Sequence, residues 1–351
     1  MDSDEAVQRF DRLNRLRQLL ERIDDSKVTL IGDTMLDRYH HGFANNLNST
    51  APVPVMKIFR TEESPGASAH IALGLSSLGI EVSYHCCVGD DYEGSAIVDM
   101  LRKEGISDQN IEIVEDRRTL TKIRFFGSRE SLLENSQILL QADRGPQDVL
   151  SEEVTEKLSH SALESLKDSC ALVISDYDKG VIHPDGATAL IASAKSHEIP
   201  IIVDPKLTGL DKSRGATVVL FEIRGLELLR RRLMLEDDIE AANHLIETYE
   251  WDSLVVLGGI DGLTLYQSDG SSHYFPCMSP SPVQQIGLHD AAATALAAAL
   301  GNGHNMLEAS TLAAAACECI LSAESSYEFI DKETLGLWLE ELTWQMQISD
   351  R

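Results

Sequence analysis

Apolar residues recur at three- and four-residue spacings over residues 5 to 25, where Val7, Phe10, Leu13, Leu16, Leu19, Leu20 and Ile23 mark one face of an amphipathic helix. From Lys27 onward the pattern becomes short apolar runs, each followed by a helical stretch: VTLIG, VSYHCCVG, ALVISD, PIIVD, TVVLF and LVVLGG. That alternation predicts a parallel sheet covered by helices, an α/β fold. Two stretches break it, Tyr39 to Phe59 and Thr119 to Gln141; in the second, TKIRFFGS and SQILLQAD read as a pair of antiparallel strands. Pairing the two insertions gives a small sheet that projects from the strand ends, where α/β proteins bind ligands. Internal repeats and low-complexity linkers are absent from the sequence. The expected organisation is a helix over residues 1–26 and one α/β domain over 27–345, with lid segments at about 39–59 and 119–141.

At 351 residues and 43% hydrophobic content the chain can bury a full core. Its formal net charge of −27 repels phosphate backbones and anionic lipid, which argues against nucleic acid and membrane surfaces as partners. The first ten residues, MDSDEAVQRF, lack the apolar stretch of a secretory signal. The alanine-rich runs near Ala291–Leu300 and Thr311–Leu321 fall short of the roughly 20 residues that a membrane span needs. Six cysteines form no C-x-x-C pair, and a reducing cytoplasm is the expected location. Cys317 and Cys319 are two apart on an expected helix and point to different faces, so no metal site is expected there.

The first strand runs into IGDTMLDRYHHG, which places Asp33 and Asp37 just past a strand end. Carboxylates there either accept hydrogen bonds from sugar hydroxyls or cap turns and a helix, and the pair alone does not decide. The blocks that follow are STAPVPVMKI, ESPGASAHIALGLSSLG, GDDYEGSAI, TKIR, VISDYDKGVI, VDPKLTGLDKSRGATVV and an alanine helix opened by GLHDAAATAL. In this order they resemble the ribokinase (PfkB) family of sugar kinases. GDTMLDRY, APVPVMK, SDYDKG and DPK with RGAT resemble its heptose-7-phosphate kinase branch in particular, and the similarity covers residues 10 to about 325.

The resemblance implies a Rossmann-like αβα sandwich, ribokinase-like, with a small β-sheet lid that often clasps a second copy into a homodimer. It also implies ATP and Mg²⁺ as cofactors, a sugar phosphate as partner, and phosphoryl transfer to a sugar hydroxyl. Carried over position by position, Asp33, Asp37, Gly66, Ala67, His70, Asp176, Lys179 and Lys206 match sugar- and phosphate-side positions, and Asp290 matches the catalytic base. Phosphoryl transfer needs an in-line hydroxyl, a group to take its proton and donors for the transferring charge. The family supplies the donors from backbone N–H groups of a Gly-rich turn at a helix N-terminus, which here would be Gly287, Leu288 and His289.

Several positions depart from the family pattern. The D-T-x-G-A-G-D motif reads Gln284 to Asp290, with only Gly287 and Asp290 retained. The T-P-N-x-x-E block, which helps organise phosphate and Mg²⁺, has Glu222 for the Asn and Gly225 for the Glu. Leu257 and Gly258, followed by Gly262, replace the usual residues of the next nucleotide-side loop, and the G-G-A-A-N sugar loop reads Gly66 to His70. The sequence therefore leaves two readings open. One is a sugar-phosphate kinase with an unusual nucleotide site. The other is a non-catalytic relative that senses a sugar phosphate or serves as a dimeric scaffold.

Overall fold

The computed structural model describes residues 3–128, 137–146, 148–279, 285–325 and 328–349. The amino-terminal helix α1 (Ser3–Arg22) leads into β1 (Lys27–Gly32), then the long pair β2 (Thr34–Leu47) and β3 (Pro54–Ala67). Next come α2 (Ser68–Ser77), β4 (Glu81–Gly89), α3 (Tyr92–Lys103), β5 (Ile111–Val114), β6 (Thr121–Ser128), β7 (Gln137–Arg144) and α4 (Glu152–Ser165). The middle of the chain holds β8 (Ala171–Asp176), α5 (Pro184–Ser196), β9 (Ile201–Pro205), β10 (Val218–Glu222), α6 (Ile223–Leu233) and α7 (Asp238–Tyr249). It ends with β11 (Ser253–Leu257), β12 (Leu263–Gln267), β13 (Ser272–Phe275), α8 (Leu288–Gly301), α9 (Met306–Ser322) and α10 (Lys332–Ser349).

All six apolar runs that predicted parallel strands lie in one nine-stranded sheet of order β13-β12-β11-β10-β9-β8-β1-β4-β5. Strand β1 sits between β8 and β4 and is parallel to both, and all its residues after Lys27 are buried. A strand covered on both faces has no solvent side, which is why these runs are continuously apolar rather than alternating. One face of the sheet packs against α1, α2, α3, α8, α9 and α10, the other against α4, α5, α6 and α7. Strands β12 and β13 add antiparallel hairpin pairings at one edge, which the sequence reading did not predict. Each is only four or five residues long and mixes Ser, Thr and His with its apolar positions.

The two insertions form a separate four-stranded sheet of order β3-β2-β6-β7, with β6 and β7 antiparallel as expected and β2 parallel to β6. Its first two strands are longer than the predicted segment. Pairing of β2 with β3 continues down to Thr34 opposite Ala67, so the lid hairpin runs without a break into the ends of β1 and α2. The lid is held to the body by Arg38, which reaches Glu63 at 2.6 Å and Glu93 of α3 at 3.1 Å, while Arg144 reaches the same Glu93. Among the described residues no helix is long and apolar enough to cross a membrane.

Helix α1 is part of the core rather than an appendage: Leu13, Leu16, Leu20 and Ile23 are buried against the body, and Arg15 pairs with the buried Glu308 of α9 at 2.6 Å. Replacing Leu16 with alanine is expected to lower unfolding stability by about 2–5 kcal/mol, the cost of an unfilled core site, read from urea denaturation with an unchanged slope.

Candidate active site

A cleft of about 520 Å³ opens between the lid and the carboxyl ends of β9 and β10, and the turn into α8 closes its floor. Asp290, the third residue of α8, lines it. The Asp290 carboxylate is buried; Oδ2 stands 3.3 Å from His70 Nδ1, and Oδ1 has no hydrogen-bond partner in the protein. A carboxylate that lines a cleft is the kind of group that can accept a hydroxyl proton.

Asp37 comes from the lid hairpin and is buried in an ion pair with Arg124 of β6 at 2.7 Å. Burial pushes its carboxyl pKa up, and Arg124 offsets part of that. Gly66 is required beside it, because a Cβ there would lie 2.2 Å from Asp37 Oδ2. Ala67 follows with φ 55° and ψ −132°, a backbone region that is comfortable for glycine and strained for any residue with a Cβ. It caps α2 and lines the cleft, and His70 lies one turn further along the same helix.

The turn Gly287–His289 enters α8 with Gly287 at φ 92°, again a glycine conformation. His289 turns back across the cleft: Nδ1 contacts Asp204 Oδ1 at 2.9 Å and Nε2 lies 3.9 Å from Glu222 Oε1. Burial would lower its pKa, but Asp204, Glu222 and Asp290 together raise it, so the ring is held toward the cationic form. Leu288 is buried in the core cluster and also lines the cleft. Lys206 lies over the Tyr177 ring at 4.4 Å, and with Lys122 and Arg224 brings positive charge to the cleft.

Of the remaining expected residues, Glu222 and Gly225 line the cleft and the others lie elsewhere. Asp33 is fully buried outside this cleft and its carboxylate accepts the backbone N–H groups of Tyr177, Lys179 and Val181 at 2.9, 3.0 and 3.2 Å. Asp176 is buried in an ion pair with Lys212. The Lys179 side chain is exposed and lines a separate small pocket with Arg117 and Arg118. On the nucleotide side, Glu222 and Gly225 line the cleft, whereas Leu257 is a buried strand end. Gly258 donates to the Gly262 carbonyl at 2.8 Å, and a Cβ on Gly262 would lie 2.2 Å from the Phe275 carbonyl oxygen. Leu257, Gly262, Leu288 and Glu318 enclose a cavity of about 10 Å³, room for about one water molecule. Gln284 lies outside the described residues.

Residues 25–333 match the family model described as pfkB family carbohydrate kinase. The chain belongs to the pfkB family of carbohydrate kinases. It is 31% identical over 311 residues to the bifunctional protein HldE of Shewanella piezotolerans, covering 88% of this chain and 62% of that protein. It is 30% identical over 334 residues to the protein of the same name from Paramagnetospirillum magneticum, covering 94% and 67%. The chain thus spans roughly two thirds of the length of these relatives. Among solved structures, a phosphofructokinase-2 mutant from Escherichia coli superposes with a TM-score of 0.73 at 18% identity, covering 91% of this chain and 99% of the other. Arabidopsis thaliana ribokinase complexed with ribose and ATP superposes with a TM-score of 0.67 at 14% identity, covering 90% and 98%. At those identities the superpositions speak to the ribokinase fold alone.

Asp204, Lys122, Arg124, Lys212 and Arg224 were not singled out from the sequence. Asp204 had a signal, since it opens the DPK block that pointed to Lys206. Arg224 lies in the Glu222–Gly225 block at the start of α6, while Lys122, Arg124 and Lys212 depend on strand pairing across the lid or on a loop returning to β8, which one-dimensional spacing does not carry. The strain at Ala67 gives a direct test. Ala67→Gly is expected to raise unfolding stability by about 1 kcal/mol in urea denaturation, against the usual loss on introducing glycine, because the native φ favours it.

Proposed function

We propose that this chain binds a sugar phosphate in the cleft beneath its lid, and that phosphoryl transfer from ATP is weak or lost. The observation that carries this reading is His289. Its side chain spans the α8 N-terminus and bonds Asp204 where the family keeps a bare glycine turn for the triphosphate. The nucleotide side supports the same reading. Glu222 presents a carboxylate where the family has an amide, and Gly225 offers no side-chain ligand for a metal. As they stand, these residues do not fit ATP with Mg²⁺. The sugar side keeps Asp37 with its arginine partner, Lys206 and a base-like Asp290. The heptose-7-phosphate branch that the sequence resembles makes heptose 7-phosphate the first ligand to test.

A second reading, a working kinase of that branch, is favoured by one observation: Asp290, which matches the family's catalytic base, lines the cleft. The two separate cleanly. Heptose 7-phosphate is expected to raise the melting temperature, as mass action requires of a ligand that binds only the folded state. ATP with Mg²⁺ is expected to leave it unchanged, with no ATP consumption. Partial turnover is expected after Gln284→Asp with His289→Gly, and more with Glu222→Asn and Gly225→Glu added. Leu288 is kept, because truncating a buried leucine would cost about 2–5 kcal/mol by itself. Wild-type turnover abolished by Asp290→Asn would overturn the non-catalytic reading, and a flat response to sugar phosphates would overturn the binding reading.

The lid supports a homodimer. It exposes Leu47, Val55, Ile58, Phe59, Ile138 and Leu140, and an uncovered apolar sheet with open edges favours pairing with a second copy. Phe125 and Leu140 are cross-strand partners. Light scattering is expected to give a dimer at tens of micromolar and a monomer for Phe125→Glu with Leu140→Glu; a wild-type monomer, or a dimer indifferent to both charges, would refute the clasp.

A further inference from the structure

His70 stands between two acceptors. Its Nε2 lies 3.1 Å from the backbone carbonyl oxygen of Glu328, and its Nδ1 lies 3.3 Å from Asp290 Oδ2. A carbonyl oxygen only accepts, so Nε2 carries a hydrogen. A carboxylate oxygen also only accepts, so a proton must lie between Nδ1 and Oδ2 as well. With Asp290 ionised, the ring therefore donates from both nitrogens and is an imidazolium. The ring has little freedom to turn away. It is buried, packs edge-on against Phe329 at 6.1 Å, and its Cε1 lies 3.0 Å from where a Cβ on Gly287 would stand. The segment carrying Glu328 is itself fastened, since Ser77 Oγ donates to the Ile330 carbonyl at 2.5 Å and Ile330 is buried.

We propose that His70 is the positioning residue for Asp290: a buried imidazolium that ties carboxylate Oδ2 to the strap before α10 and so fixes the orientation of the carboxylate at the cleft. This deepens the functional reading above and rests on the same cleft. The ring itself has no vacancy for a further proton, because both of its nitrogens already carry hydrogen. The charges facing His70 are Asp290 on α8 and Asp37 on β2, the latter already engaged by Arg124 of β6. Burial works against the charged ring, and the two carboxylates outweigh it, so its pKa is raised. The sign follows: stability from the charged ring is fully present below the ordinary imidazole value of about 6.5 and is lost as pH rises through the raised one.

The test is the ring state in the whole chain, read by ¹⁵N–¹H correlation spectra of histidine-labelled protein, with the His70 signals assigned by their loss in His70→Asn. Both ring nitrogens of His70 are expected to stay protonated at and above pH 6.5, with a midpoint that falls in Asp290→Asn. Melting temperature is expected to drop with rising pH more steeply in wild type than in His70→Asn, a readout that does not need the Asp290 variant to fold. A neutral His70 at pH 6.5 in wild type, or a midpoint unmoved by Asp290→Asn, would overturn the proposal. Neither outcome involves a ligand, so the sugar-phosphate reading would stand or fall separately.

Discussion

The carboxylate of Asp33 is the interaction on which the site's geometry depends. It lies at the point where β1 ends and the lid begins, and it accepts three backbone N–H groups from the turn that follows β8. Its own backbone is engaged on both sides, with N–H donating to the Ser175 carbonyl and the carbonyl accepting from the N–H and Oγ of Ser68. One residue thus fixes β1, β8, the first turn of α2 and the base of the lid hairpin relative to one another. Burial drives its carboxyl pKa up, with the nearby Asp176 adding to the effect, and the three N–H bonds partly offset this. A buried charge is tolerable only where donors are already in place, and here the donors are the loop being held.

With that frame fixed, the two ends of the cleft differ in how their charges are balanced. At the lid end, Asp37 is neutralised by Arg124, and Gly66 leaves room for the pair. At the α8 end, two histidines sit on either side of the helix start, one on Asp290 and one on Asp204. A helix N-terminus already carries partial positive charge, which favours the carboxylates there. Across from Asp204, Glu222 Oε1 lies 3.9 Å from His289 Nε2.

The cysteines and the remaining buried histidine play no part in this chemistry. Burial pushes the thiols of Cys87 and Cys317 up to about 11 and about 12, which leaves them protonated and unreactive. His85, in the sheet core, is brought down to about 4 by burial with Lys27 adding to the effect, and so stays neutral. The contrast with His70 and the half-buried His289 is physical: burial lowers all three, and only the two beside carboxylates are held toward the charged form.

The sequence by itself determined the α/β class, the six parallel strands and the place of the lid, because a strand buried on both faces must be apolar throughout and a half-exposed one cannot be. It also located Asp290 and Asp37, since both lie in blocks whose order along the chain is distinctive. It could not separate Asp33 from Asp37: each is an aspartate past a strand end, and only the folded turn after β8 turns the first into a structural staple and leaves the second in the cleft. Nor could it tell that Leu288 packs into the core cluster while its neighbour His289 reaches Asp204, because at a helix start the direction of each side chain depends on the left-handed φ of Gly287. Pairings such as Asp37 with Arg124, Asp176 with Lys212 and His70 with Asp290 join residues 87, 36 and 220 positions apart in the chain. Charge partners at such separations are set by which strands and helices become neighbours, and local spacing carries no record of that.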